Sequence, residues 1–311
     1  MTANRTVRLI TFGGGYTLPA WVADRRGFFG KHGIQVDITH TPDSVFLMTG
    51  LISGDFDIAV TAIDNLVAYQ EGQGEVPVDA PVDLAAFMGI DDSFQSLMAA
   101  PGVQSVADLR GRKIAVDALT TGYIFILKDI LARAGLSDAE VVYERTGGGP
   151  KRLQAMLSGE YAAGLLATPL DGVAAEQGFT CLGTARGVLG HYQGRTGFAQ
   201  RSWIKDNRAS VIAFMRGYRD AMDWLYDRSH RAEATALMCE RDKALATDLA
   251  RRSLDILLAE TGGFTRDLAL DFAGVQTVLD LRSRFGMPRK PMQAPSAYID
   301  ATLFREAFPR S

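Results

Sequence analysis

The chain has few of the residues that most often bind metals, form cross-links or carry out catalysis: two cysteines and four histidines among 311 residues. Cys181 and Cys239 have no neighbouring ligands at metal-binding spacing, so we expect neither a metal site nor a metal cofactor. One disulfide between them stays open as an alternative, although two isolated thiols are more often small core residues. The cysteines therefore do not decide the redox compartment.

The sequence also lacks a strong charge of one sign and long apolar runs. Its formal net charge of −3 gives neither the basic surface of a nucleic-acid binder nor a polybasic membrane anchor. No stretch approaches the ~20 apolar residues of a membrane-spanning helix. The first apolar run, Val7 to Phe12, contains Arg8 and is too short for a signal-peptide core. Two locations remain open: the periplasm, if an export signal has been removed, or the cytoplasm.

Strand and helix patterns alternate along the first part of the chain. Apolar runs predict strands at Val7–Phe12, Ile34–Ile38 and Ile58–Ala62, with helices at Leu18–Phe29 and Val45–Ile52 between them. This alternation is typical of a parallel sheet covered by helices.

The same order of elements then recurs between residues 113 and 167. Gly33 and Gly54 mark the helix ends of the first unit, and Gly135 and Gly159 occupy the equivalent positions of the second at similar spacing. Two βαβαβ units predict an α/β fold with two similar lobes, mainly parallel sheets and a ligand cleft between them. The alternative is one continuous doubly wound sheet.

Two stretches are predicted to form the hinge that joins the lobes. The chain crosses first near Asp91-Asp92-Ser93 and returns within Thr184–Gly197. We therefore assign residues 1–92 and 195–311 to the first lobe and residues 93–194 to the second. The C-terminal third is helical, with an apolar face between Val211 and Tyr226, and is expected to pack on the first lobe or brace the hinge.

Several local segments together point to a known family. They are Gly27-Phe28-Phe29, Gly33-Ile34-Gln35-Val36, the segment SVADLRGRKIAV from Ser105 to Val116, and Ala167-Thr168-Pro169. In order and spacing, they resemble the substrate-binding proteins of ABC importers, in the alkanesulfonate, nitrate and thiamin-precursor branch of the type 2 periplasmic-binding-protein fold. The resemblance implies a small-molecule ligand and an ABC permease as partners, with no nucleic acid and no membrane insertion.

In open α/β sheets, ligands bind beyond the carboxyl ends of the strands, where helix N-termini expose free N–H groups. This edge of each unit supplies the candidate ligand contacts, which are Phe12, Gly13, Tyr16, Ser44, Thr61, Asp64, Asn65, Ser93, Thr120, Thr121, Tyr123, Thr168, Asp171 and His191. Several of them have structural alternatives. Ser44 follows Asp43 at a helix start and Asp64 precedes a helix, so capping would explain them equally well. His191 is more often the kind of histidine that is satisfied structurally.

The charge of these loops suggests the chemistry of the ligand. They carry four aspartates but few cations, namely Asp64, Asp91, Asp92 and Asp171 against Arg145 and Arg195. Because a buried carboxylate without a partner is costly, a ligand with hydrogen-bond donors or positive charge is favoured over a simple oxyanion. Nearby aromatic residues such as Tyr16 and Tyr123 add the expectation of a planar or aromatic nitrogenous compound.

The motifs of common enzymes are absent. The run Gly13-Gly14-Gly15 lacks the GxGxxG spacing, and no G-x-S-x-G, H-E-x-x-H or Walker motif occurs. We therefore predict no cofactor and no catalytic residue, and a solute-binding protein in preference to an enzyme. Enzymes with this fold include a thiamin-pyrimidine synthase, whose cysteine-rich motif and histidines are not matched here. A cytoplasmic, decarboxylase-like enzyme that acts on an aromatic acid remains the alternative.

Overall fold

The computed structural model describes residues 5–309, and their strands form two five-stranded sheets. The first sheet contains β1 (Arg5–Thr11), β2 (Ile34–His40), β3 (Ile58–Ala62), β4 (Leu84–Gly89) and β10 (Arg195–Gln200). The second contains β5 (Gln95–Ala99), β6 (Lys113–Val116), β7 (Val142–Arg145), β8 (Ala163–Ala167) and β9 (Thr180–Thr184).

Helices connect and cover these strands. In the first half of the chain they are α1 (Leu18–Arg25), α2 (Phe28–Lys31), α3 (Ser44–Ser53), α4 (Ile63–Gln70), α5 (Gly122–Arg133), α6 (Gly149–Leu157) and α7 (Leu170–Glu176). The remaining ones are α8 (Ala185–Leu189), α9 (Arg201–Asp206), α10 (Arg208–Tyr226), α11 (Arg231–Arg241), α12 (Thr247–Leu257), α13 (Phe272–Phe285) and α14 (Ala301–Ala307). None of the helices within residues 5–309 has the length and apolar character needed to cross a bilayer.

The two sheets have the same strand order. It is β2-β1-β3-β10-β4 in the first and β7-β6-β8-β5-β9 in the second. Four strands of each sheet run parallel, and the fifth, β10 or β5, pairs antiparallel with both neighbours. That fifth strand is the first one after each passage between the sheets. The predicted α/β class with two similar units is confirmed, and the alternative of one continuous sheet is wrong. The exact lobe boundaries stay a prediction.

The four glycines of the sequence repeat all have left-handed backbone angles. Their φ values are 82° at Gly33, 85° at Gly54, 78° at Gly135 and 84° at Gly159. A Cβ atom at any of them would meet no atom within 4 Å, so space is not the reason for glycine. Each follows the end of a helix, where a left-handed residue terminates the helix and glycine adopts it without strain.

Two expectations about local structure are wrong. The helix predicted over Leu18–Phe29 is broken into α1 and α2, because Gly27 between them has a φ of 69°. The cysteines are both free, and Cys181 is exposed on β9 whereas Cys239 is partly buried. The alternative of a disulfide is therefore not realised, and Cys181 is not a core residue.

The C-terminal helices contact both lobes. Helix α10 packs on the first lobe, where the ring of Phe214 stacks on Phe29 at 5.3 Å between centroids. Helix α13 reaches the second lobe, because Phe285 stacks on Phe125 of α5 at 6.0 Å and Arg284 pairs with Asp129 at 2.8 Å. Helix α13 also contacts α4, so it links the two lobes.

Candidate functional site

The carboxyl-terminal edges of the two sheets meet across a cleft. Gly15, before α1, faces the second lobe so closely that a Cβ there would lie 3.1 Å from the Cδ atom of Pro169. At the start of α5, a Cβ on Gly122 would lie 2.5 Å from the Cγ atom of Asp64 in the first lobe. At the rim, Arg145 and Glu75 form an interlobe ion pair of 2.9 Å. The lobes are therefore in contact around the cleft.

Two tyrosines and an arginine line this cleft from both lobes. The guanidinium carbon of Arg195 lies 3.5 Å from the centroid of the Tyr16 ring, and the Tyr16 hydroxyl donates to the Gly13 carbonyl at 3.0 Å. Tyr123, in the first turn of α5, comes from the opposite lobe. Burial raises the pKa of Tyr16, and it raises that of Tyr123 to about 12. Both phenols are thus neutral and offer flat surfaces with one polar end.

The hinge holds Arg195 in place through Asp91. The Arg195 Nη1 atom donates to Asp91 Oδ2 at 2.9 Å, and both side chains are almost fully buried. Burial opposes the charge of Arg195, but Asp91, Tyr123 and Tyr16 together outweigh it and raise its pKa. The second Asp91 oxygen accepts from the Ser93 backbone N–H at 2.8 Å, and the buried Ser93 hydroxyl has no partner among residues 5–309.

Asp64 and Arg282 form a second buried ion pair. The Nε atom of Arg282 on α13 donates to Asp64 Oδ1 at 2.6 Å, and its Nη2 atom donates to the other oxygen. The same Nη2 atom donates to the Thr120 carbonyl of the second lobe at 3.0 Å. Asp64 is therefore a bound partner of Arg282 and lies in the first turn of α4 without capping it.

The second lobe brings different charges to the cleft. Asp171 accepts from the hydroxyls of Ser96 at 3.0 Å and Thr168 at 3.2 Å, and burial raises its pKa. Asp117 accepts from the Thr121 hydroxyl at 3.0 Å. Neither carboxylate has a cationic partner within residues 5–309, so each keeps acceptor capacity facing the site.

Arg152 on α6 is the buried cation of this lobe. Its Nε atom donates to the Leu165 carbonyl at 2.7 Å, and its Nη1 atom donates to the Gly147 carbonyl at 3.0 Å. Burial lowers its pKa, with Asp117 and the two cleft tyrosines as its electrostatic neighbours. Residues 5–309 offer it no ion pair.

The other predicted contacts divide into those near the cleft edge and one outside it. Asp43 caps α3 through Phe46 N at 2.8 Å, which leaves Ser44 in the first turn. The Asn65 amide donates to the Thr61 hydroxyl at 3.2 Å inside the first lobe. His191 has 72% of its side chain exposed and pairs with Asp271. As ligand contacts, all the candidates remain predictions, and His191 gains no support from its position.

The sequence predicted an excess of unpaired aspartates in the cleft loops, and this premise of the charge argument is wrong. Three of the four aspartates are neutralised by arginines: Asp64 by Arg282, Asp91 by Arg195 and Asp92 by Arg186. Asp171 alone of the four has no cationic partner within residues 5–309. Sequence reasoning missed Arg282 and Arg152, because one lies far along the chain and the other lies within a helix.

His40 is a further residue near the cleft that the sequence did not single out. It ends β2, and its Nε2 atom accepts from the Trp21 indole at 3.4 Å beside Gly13. Burial lowers its pKa, so the imidazole is neutral. Among residues 5–309, no group of three or more histidine, cysteine or acidic side chains is placed to hold a metal ion.

Comparison with known protein families identifies the family of this chain. The family model described as NMT1/THI5 like matches residues 15–232. The chain belongs to this family. The predicted resemblance is thereby confirmed at the level of this family.

Two solved structures have a similar fold, and one further protein is similar in sequence. The periplasmic nitrate-binding protein of Synechocystis has a TM-score of 0.82 at 11% identity, covering 97% of this chain and 88% of its own. The ligand-binding component of an ABC-type import system from Staphylococcus aureus has a TM-score of 0.78 at 12% identity, covering 98% and 100%. A 4-amino-5-hydroxymethyl-2-methylpyrimidine phosphate synthase of Uromyces fabae is 26% identical over 77% of this chain and 71% of its own.

Proposed function

We propose that this protein captures a small, planar nitrogenous ligand between its lobes and delivers it to an ABC permease. The observation that carries the proposal is that Tyr16 and Tyr123 come from opposite lobes and both lie close to Arg195. A flat ligand between such rings is held by both lobes at once, so binding stabilises closure. The family and the import-system neighbour support this role, and with it a periplasmic location.

The polar groups of the cleft suit a ligand with nitrogen donors. Within residues 5–309, Asp171 and Asp117 accept hydrogen bonds only from hydroxyls and a backbone N–H, and no cation neutralises them. Amino or ring N–H groups would complete their coordination, since a buried carboxylate needs donors. The pyrimidine named for the Uromyces fabae relative has this chemistry: a flat ring with an amino group.

The second candidate function is an enzyme on the same cleft, favoured by the name of that same relative. Against it stands the scarcity of proton-transfer groups, because His40 is the one histidine near the Gly13 loop among residues 5–309. Product analysis after prolonged incubation with a bound aminopyrimidine separates the two: a binder returns the ligand unchanged.

Calorimetric titration with aminopyrimidines, nitrate and alkanesulfonates tests the binding role. We expect saturable one-to-one binding of a planar nitrogen compound, weakened at least about fivefold by Tyr16→Ala, since a buried aromatic anchor contributes more than about 1 kcal/mol. Tyr161→Ala is the matched control, because Tyr161 lies apart from the cleft tyrosines and bonds to Glu144. Tight binding of nitrate or sulfonates alone, or equal losses in both variants, would contradict the proposal.

A further inference from the structure

The second lobe contains a buried guanidinium that the proposed ligand contacts do not explain. Arg152 is 5% exposed, and it uses Nε and Nη1 to bind two backbone carbonyls. An arginine has five N–H donors, so donors remain that no acceptor of residues 5–309 satisfies. A buried cation without a counter-ion is unfavourable, and burial accordingly lowers its pKa.

Arg152 differs from the two other deeply buried arginines of the cleft. Arg195 is 3% exposed and binds Asp91, whereas Arg282 is 0% exposed and binds both oxygens of Asp64. The same cleft therefore pairs two guanidinium groups with carboxylates, whereas the third is hydrogen-bonded to carbonyls and forms no ion pair with its neighbour Asp117 within residues 5–309. A structural arginine of this depth would be expected to have the same pairing.

The position of Arg152 gives the reason for the difference. Its electrostatic neighbours are Asp117, Tyr123 and Tyr16, which line the cleft from both lobes. It is the fourth residue of the nine-residue helix α6, and its own N–H is bonded to the Gly148 carbonyl, so it follows directly on the helix start, where unpaired backbone N–H groups favour an anion. A planar guanidinium matches the two oxygens of a carboxylate, sulfonate or phosphate group.

We propose that the ligand carries an acidic group, a carboxylate, sulfonate or phosphate monoester, and that Arg152 binds this group. The inference rests on the proposed function and adds the charge of the ligand to it. In this arrangement the planar part of the ligand lies against the tyrosines, and its nitrogen donors face Asp171 or Asp117. Its acidic group forms an ion pair with Arg152. A simple inorganic anion would satisfy Arg152 but would leave both tyrosine faces unused.

The test compares acid and neutral partners on the wild-type protein. Two probe pairs are titrated: 4-amino-5-hydroxymethyl-2-methylpyrimidine phosphate against its unphosphorylated alcohol, and 4-aminobenzoate against 4-aminobenzamide. In at least one pair the acid is expected to bind ten times or more tighter than its neutral partner. This part needs no variant, so it is independent of any effect of substitution on folding.

Variants then assign the preference to one residue. Arg152→Gln is expected to remove the preference and leave the affinity for the neutral partner within about threefold, whereas Arg152→Lys should keep part of it as a point charge. Arg133→Gln is the matched control, because Arg133 is on the same lobe with 59% of its side chain exposed and pairs with Asp129. This variant loses the same charge outside the cleft and should bind as the wild type does.

The outcomes separate the inference from the function on which it rests. Saturable binding of the neutral partners as tightly as the acids, or an acid preference that survives in Arg152→Gln, would overturn the role of Arg152 while leaving the binding function intact. If no member of either pair binds, the proposed function fails, and the inference fails with it.

Discussion

The two lobes have the same strand order, yet they bring different charges to the cleft. On the first lobe, Asp64 and Asp91 are each neutralised by a buried arginine. On the second lobe, Arg152, Asp117 and Asp171 have no oppositely charged partner within residues 5–309. The cleft carboxylates of the first lobe are thus paired within the protein, whereas the second lobe has charged groups with which a ligand can pair. Both lobes contribute the same backbone architecture to the cleft. The unpaired charges of the second lobe then determine which ligands bind.

The comparison predicts very different costs for removing an arginine from each lobe. Arg282→Met should lower the free energy of unfolding by about 3–5 kcal/mol, because it leaves the Asp64 carboxylate buried and uncompensated. Arg152→Met should cost only about 1–2 kcal/mol, since it removes two hydrogen bonds to backbone carbonyls and no ion pair. Urea denaturation of both variants, without ligand, measures the difference. Equal losses would show that Arg152 is as structurally paired as Arg282.

The contact between the lobes can be broken at Gly122. A Cβ at this position would lie 2.5 Å from Asp64 Cγ, so Gly122→Ala should obstruct the closed arrangement while its own helix is preserved. Overpacking of this kind costs about 1–3 kcal/mol, which corresponds to a loss of ligand affinity of about 5- to 150-fold.

Gly30→Ala is the control for this prediction, because a Cβ there meets no atom within 4 Å. Titration calorimetry gives the affinities, and small-angle scattering shows whether the Gly122→Ala protein is more extended. Unchanged affinity in Gly122→Ala would mean that closure does not bring these two elements together.

The smallest predicted effect concerns the unpaired carboxylate of the second lobe. Burial raises the pKa of Asp171, so the folded protein holds its proton more tightly than the unfolded chain does. Its contribution to stability must then fall as the pH rises above about 4, where the unfolded carboxyl ionises first. Asp171→Asn should flatten the pH dependence of thermal unfolding between pH 4 and neutrality, by about 1 kcal/mol or less. A variant with the same pH profile as the wild type would contradict this assignment.

The architecture was predictable because its signals are local. The glycines at positions 33, 54, 135 and 159 end helices through their left-handed backbones, and this requirement is visible in the sequence whatever the tertiary structure. The break at Gly27 shows the limit of the apolar pattern, which continues across a glycine that ends a helix turn.

The charge balance of the cleft was not predictable, because it depends on partners that are distant in sequence. Arg282 and Asp64 are 218 positions apart, and Arg195 and Asp91 are 104 apart. Counting aspartates in the loops therefore gave an excess of negative charge that does not exist. Candidate residues such as Tyr16, Tyr123 and Asp171 were found because they directly follow predicted strands, whereas Arg152 lies inside a helix and carried no such signal.

Native mass spectrometry of the protein purified from its own host tests the central claim most directly, that the cleft holds a small acidic ligand through Arg152. The account predicts a single small-molecule adduct at equal occupancy on the wild-type protein and on Arg133→Gln, and a clearly lower occupancy on Arg152→Gln. The same adduct at equal occupancy on all three proteins, or a bare chain for all three, would contradict it.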